Sequence, residues 1–251
     1  MKIRGAHTIL RAVTNALQIK SLVRGTWCVV TSAALAACPH KSAAPTPEPT
    51  APLPTAGIAA QPVGVLPLTL IAAEDSLHWQ ELLGERRAAL TRCDSIIGAL
   101  LKARAPEVTW MLPDDLRRAA RRAPGIAPAP DQMGSAILFH ATNQQPEMVP
   151  DPLRTELRTL AALVGGGRYA LVPAGLTYRR TIASGAGAGP GGVGAQHAAP
   201  LPHSVATAEL TVVLVDVRTG RVGFRTVARG EGDDPWTALT RAVKALTPGL
   251  P

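Results

Sequence analysis

Apolar positions along the chain repeat with two periods, and each change of period marks an element. Residues 62–71, PVGVLPLTLI, are an unbroken apolar run rich in Val, Leu and Ile. Its length and flanking breakers predict a buried strand. From 75 to 104 the spacing turns helical, with Trp79, Leu83, Leu90, Cys93, Ile97 and Leu100 on one face. Gly84 and Gly98 are its weak points. EVTWMLP (107–113) reads as a short second strand. PDDLRRAARRAPG (113–125) reads as a compact helix, opened by Pro113 and two Asp and closed by Pro124-Gly125. Residues 126–150 are Pro-rich and fit no period, though a short helix or strand near QMGSAILFHA fits the composition.

Asp151-Pro152 reads as an N-cap followed by a first-turn proline, leading a helix over 151–167 with Leu153, Leu157, Leu160 and Val164 as its core stripe. RYALVPAGLTYRR (168–180) is a strand, interrupted near Pro173. VATAELTVVLVDVRTG (205–220) is apolar on both faces around Thr211–Val215, the mark of a central strand. In RVGFRTVARG (221–230), Val222, Phe224, Thr226 and Ala228 alternate with Arg221, Arg225, Val227 and Arg229, as in a half-exposed strand. The turn RTGR joins the two as a hairpin, with Gly220 supplying a positive φ and Asp216 bracing it. Gly230 and Gly232 read as the strand's end. Asp234-Pro235 opens a last helix, 235–247, with Trp236, Leu239, Val243 and Leu246 at helical spacing. The order is β-α-β-α-α-β-β-β-α. It predicts one α+β domain over 63–251, with a mixed sheet of about four to five strands, a C-terminal β-hairpin, packed helices, and a flexible Gly-rich insert at 184–204.

The front of the chain has no such period. The net charge is +8 over 251 residues, and Lys2, Arg4, Arg11, Lys20 and Arg24 supply five of those charges with no acid before Cys38. The remaining +3 is ordinary for a soluble domain, so the basic balance belongs to the leader. Residues 25–38, GTWCVVTSAALAAC, form an apolar stretch of roughly a dozen residues. That is short of the ~20 a spanning helix needs and suits the core of an export signal. An ordinary signal with a chance Cys is the plainer alternative. Residues 39–62 are rich in Pro, Ala and Thr with few charges, and read as a disordered tether. Cys28 falls in the predicted signal, which leaves Cys93 beside Cys38. Cys93 reads as a small core residue, since neither a His nor an Asn stands near it in sequence.

Little in the chain points to chemistry. The histidines after Cys38 (His40, His78, His140, His197 and His203) form neither HxH nor HExxH. No G-x-S-x-G elbow is present. Gly187, Gly189 and Gly192 match a dinucleotide fingerprint, but no helix pattern follows them and prolines do. Aromatics make up 3% of the chain, too few for stacking on nucleic acid. The expectation is therefore no cofactor, no metal, no nucleotide and no nucleic acid. Arg117, Arg118, Arg121 and Arg122 crowd one helix face, either as a solvated face or as a contact for an anionic lipid, glycan or acidic partner. Arg225 and Arg229 form a second possible contact, and replacing both is expected to leave folding intact. The competing expectation is an envelope hydrolase built from acids far apart in sequence, for example Glu209 or Asp216 near His140.

Two resemblances sharpen this. Leu35-Ala36-Ala37-Cys38 resembles the bacterial lipobox, which implies cleavage before Cys38, a diacylglyceryl thioether on its thiol, acylation of the new amino terminus and a membrane anchor there. Residues 1–37 would then be the signal peptide and 38–62 the lipidated Cys with its tether. Pro39, in place of the Asp that retains such proteins in the inner membrane, implies the periplasmic face of the outer membrane. The domain resembles the amino-terminal domain of the Tol–Pal propeller protein and the related domains of the curli-secretion lipoprotein and the activators of penicillin-binding proteins. VGVLPLTL, GGGRYALVPAGL, LTVVLVDVRTGRVGF and PWTALTRAVKAL carry that likeness over about a third of the chain. It implies a non-enzymatic docking module for another envelope protein or for peptidoglycan. The chain departs from the group in lacking propeller repeats within these residues and in the composition of 184–204, which does not alternate as a pore-forming hairpin would.

Overall fold

The structure is a computed structural model, and it describes residues 49–139, 148–182 and 204–247. The predicted signal peptide, Cys38, His140 and nearly all of the Gly-rich insert lie outside the described residues.

The protein is α+β, and its described residues form one mixed sheet of six strands with helices on both faces. The apolar run at 62–71 makes two short strands, β1 (Pro62–Val65) and β2 (Ile71–Ala73). Both run parallel to β4 (Tyr169–Ile182), β1 along its start and β2 along its later half. Between them the chain leaves the sheet at Pro67, which has no N–H to give to a ladder. Leu66 N–H and Leu70 C=O still bond to β4 at 2.9 and 3.0 Å, so the detached part is 67–69. β4 shifts register between Pro173 and Gly175 opposite this break.

Strand order is β3-β1-β4-β5-β6, where β3 is Thr109–Met111, β5 Ser204–Asp216 and β6 Arg221–Gly232. β3, β1 and β4 are parallel, and β4, β5 and β6 antiparallel. β5 is an interior strand, paired on both sides, as its two-faced apolar character predicts. Leu210, Val212 and Leu214 enter one core, while Val213 and Val215 enter another on the opposite face. Ser204 pairs with Ile182, so β5 takes the last residue of the predicted insert.

The helical pattern over 75–104 divides at Gly84 (φ +63°) into α1 (Gln80–Leu83) and α2 (Arg86–Arg104). α2 and α5 (Pro235–Leu246) cover the first face, with Cys93, Ile97, Leu101, Leu239, Val243 and Leu246 buried. Burial pushes the Cys93 thiol up to about 12, as befits a core residue. On the second face lie α3 (Pro113–Arg122), α4 (Leu153–Leu163) and two 3₁₀ turns, Pro130–Gln132 and Ser135–Leu138, in the stretch that fits no period.

Several local expectations hold. Asp234 caps α5, its Oδ1 accepting from Trp236 N–H and Thr237 N–H at 2.9 and 3.0 Å. Asp216 braces the hairpin by accepting Thr219 N–H at 3.0 Å, and Gly220 has φ +77°. Others need correction. Pro152 occupies the N-cap of α4, and Asp151 bonds Arg154 and Thr155 side chains in place of the helix's N–H groups. Gly232 is the last residue of β6, as expected, but Gly230 lies within the strand. They let α5 lie directly on the strand: a Cβ at Gly230 would sit 2.1 Å from Ala242 N and 2.5 Å from Ala238 O. Val222 and Phe224 do not share a face. A bulge at Gly223 sends Phe224 to the first core and Val222 to the second.

The tether is shorter than its composition implies. Leu53 and Ile58 are buried in the first core. Leu53 N–H bonds Leu246 C=O at 2.9 Å, and Ala51 N–H bonds Thr226 Oγ1 at 3.2 Å. Thr50 Oγ1 accepts Arg229 N–H at 3.0 Å and donates to Val227 C=O at 3.4 Å. Residues 50–58 are therefore a strap along the outer edge of β6 and the end of α5. Its two apolar residues bury in the core while Thr50 and Ala51 meet the outer edge of β6.

Candidate functional site

The richest arrangement of charge grows from a residue the helical pattern hides. Asp94 lies on α2 among core positions, four residues after Leu90 and three before Ile97, and is 6% exposed. Its Oδ1 accepts Leu68 N–H at 2.8 Å, satisfying part of the backbone that left the sheet at Pro67. Its Oδ2 accepts Arg117 Nη2 at 2.7 Å. Burial pushes the Asp94 carboxyl up to about 6, against the opposing pull of Leu68 N–H and Arg117. Arg117 cannot fully offset the burial because three carboxylates share it. It bonds Asp131 through Nε and Nη2, at 3.0 and 2.6 Å to Oδ1, and Asp114 through Nη1 at 2.9 Å. Those partners, Asp131 foremost, hold the guanidinium above its ordinary range.

The reason for this assembly is local. Asp114 and Asp115 fall in the first turn of α3, where the helix dipole favours them. Asp115 also closes that turn: its Oδ2 accepts Leu112 N–H at 3.2 Å while its own N–H returns to Leu112 C=O at 2.9 Å. One turn on, Arg117 reaches from α3 to α2 and to the 3₁₀ turn at 130–132, tying three segments together.

Around this knot is an open cleft of about 1070 Å³ between α2, α3 and residues 127–132. Arg86, Arg87, Arg117 and Arg121 line it, facing Glu85, Asp114 and Asp131, with Leu90, Thr91 and Ala120 between. No histidine, cysteine or serine stands among its described lining residues. A second pocket, under α4 and bounded by Leu116, Leu157, Leu160, Val164 and Tyr169, has only about 20 Å³ to spare, room for roughly one water. It is a packing gap.

The predicted contact residues divide. Arg117 is committed to the knot and is only 19% exposed. Arg118 pairs with Asp115 at 3.3 Å. Arg121 and Arg122 are exposed at the end of α3, with no ion-pair partner among the described residues. Arg225 and Arg229 are not an open pair. Arg225 is partly buried and donates to Leu138 C=O, and burial lowers its pKa. Arg229 donates to Glu209 at 3.0 Å, and its N–H is held by Thr50. Replacing both removes these internal contacts and is therefore expected to cost stability, in place of leaving folding intact.

The acids of the hydrolase alternative are separated. Glu209 and Asp216 lie on opposite faces of β5, seven residues and about 23 Å apart. Glu209 is engaged by Arg229 and, at 3.6 Å, by Arg179. Asp216 is engaged by Arg168 at 3.0 Å. Partial burial raises the Asp216 carboxyl, but Thr219 N–H and Arg168 outweigh it and hold it below its ordinary range. His140 lies outside the described residues. Among the described residues no three His, Cys, Asp or Glu side chains gather as for a metal, and no helix is long and apolar enough to cross a membrane.

No family model, no curated protein and no solved structure matches the chain.

Proposed function

We propose that this is an envelope lipoprotein, anchored through an acylated Cys38, whose α+β domain is a non-enzymatic binding module for another envelope protein or for peptidoglycan at the periplasmic face of the outer membrane. The observation that carries the binding reading is the Arg117 knot beside an open cleft. Its charged groups are fixed by one another in advance, so a ligand meets an ordered surface and little side-chain freedom is lost on contact. The lipid anchor rests on Leu35–Cys38 and on the short distance in sequence from Cys38 to Thr50, where packing begins. The likeness to the docking domains of the Tol–Pal group belongs to this proposal and adds no site residue to it.

Mass spectrometry of membrane-fraction protein tests the anchor. The mature amino terminus is expected to be a triacylated or diacylated Cys38, and Cys38→Ala is expected to leave the membrane fraction. An unmodified Cys38 in membrane-bound protein overturns the anchor. Crosslinking in whole envelopes tests the module: a specific adduct lost in Asp131→Ala supports the cleft, and adducts indifferent to that change count against it.

A further inference from the structure

We propose that the α2–α3 cleft takes a short peptide bearing an ammonium and a carboxylate about 10 Å apart, the ammonium at Asp114 and the carboxylate at Arg121. This rests on the binding-module reading and names its ligand class. Asp114 and Arg121 both line the cleft and are seven residues apart on α3. Seven residues are nearly two full turns, so the two positions share a face, their Cα atoms about 10 Å apart along the axis. Between them on that face stands Arg117, whose donors are taken up by Asp94, Asp114 and Asp131.

The outer two remain open for a ligand. Asp114 is 82% exposed and uses one oxygen on Arg117, while the other has no protein partner among the described residues. Arg121 is exposed and unpaired among the described residues. The face thus offers an acceptor at one end, a donor at the other and, in the middle, an arginine already committed to carboxylates. The wall between carries Ala120, Ala127 and Pro130, small apolar surface suited to the body of a peptide.

The charge balance decides between ligand classes. Arg86, Arg87, Arg117 and Arg121 are offset by Glu85, Asp114 and Asp131, with Asp94 behind them. Such a cleft has little net field, so nucleic acid or an anionic membrane gains little by approaching it. A ligand with both signs gains at both ends. Three extended residues span about 10 Å, which matches the axial spacing of the two positions on α3.

The test uses the full chain in detergent micelles and tri-alanine with free ends, compared with its N-acetyl and C-amide forms, by NMR titration. Free tri-alanine is expected to bind, and blocking either end is expected to weaken it at least fivefold. Asp114→Asn should abolish the difference between free and acetylated peptide and keep the difference on amidation. Arg121→Gln should do the reverse. This matched loss is a readout that a purely structural role for either residue would not give. No binding of free tri-alanine, or a loss at either end that is the same in both variants, overturns the proposal. Failure here leaves the anchored module to its own envelope crosslinking and mass-spectrometric tests, which use no tripeptide.

Discussion

Asp94 shows how one buried carboxyl can set a pH response. Its folded pKa of about 6 lies above the ordinary value near 3.8, because burial disfavours the charge more than Leu68 N–H and the shared Arg117 favour it. The folded state therefore binds a proton more readily than the unfolded one. The stability linked to this group is fully present below pH 4 and is lost as pH rises through 6. Its magnitude is on the order of 3 kcal/mol. Denaturant unfolding of wild type and Asp94→Asn between pH 4 and 7.5 should show that contribution as a difference in slope, with the wild type losing stability relative to the variant as pH rises. Parallel curves would mean that Asp94 does not titrate in this range. The helical pattern over 75–104 gives no reason to single out Asp94 beyond its place on the apolar face between Leu90 and Ile97. That place is itself a readable signal, since an acid there must find partners. Its partners, Leu68 and Arg117, are 26 and 23 residues away and cannot be read from the helix.

Two elements behave differently from their composition. Gly230 reads as a strand end yet lies within β6, and with Gly232, which does end the strand, it forms the floor on which α5 rests. Gly230→Val should therefore destabilise by about 3 kcal/mol or more, because α5 backbone has to move away, and chemical denaturation will measure it. A change below about 0.5 kcal/mol would mean that α5 lies farther from the strand. The strap at 50–58 reads as tether because Pro, Ala and Thr dominate it, and average composition misses two buried residues. Leu53→Ala should cost about 2–3 kcal/mol, whereas a side chain in a free tether would cost nothing measurable. The elements that were legible have a strong local signature: the two-faced apolar run of β5, the Asp234-Pro235 start of α5, and the RTGR turn. Pro67 sits inside the apolar run at 62–71, which reads as one strand. That it splits one run into two strands beside the same neighbour depends on the register shift in β4, which the run itself does not contain.

At the scale of the whole molecule, two cores on opposite faces share β4 and β5. Neither face can lose its packing without exposing strands that the other needs, so both should unfold in one cooperative step. Trp79, Trp110 and Trp236 all report the first face. Their fluorescence transition should coincide in denaturant with loss of amide protection in α4, which reports the second. Earlier exchange of α4 would show that the second face opens separately. The α+β class, the interior place of β5 and the capping of α5 are legible in the chain, because periodicity, turn chemistry and capping act over a few residues, whereas the runs at 62–71 and 75–104 read as single elements and divide in the fold. Tertiary structure alone decided that Arg117 is a tie between α2 and α3, that Arg225 and Arg229 turn inward, that the end of the tether is a strap, and that Asp114 and Arg121 face an open cleft. For Arg117, Arg225, Arg229 and the strap, a charge or a backbone group takes its meaning from a partner on another segment, 14 to 179 residues away along the chain, and the cleft at Asp114 and Arg121 exists only because α2 and residues 127–132 come from elsewhere in the chain to form its other walls.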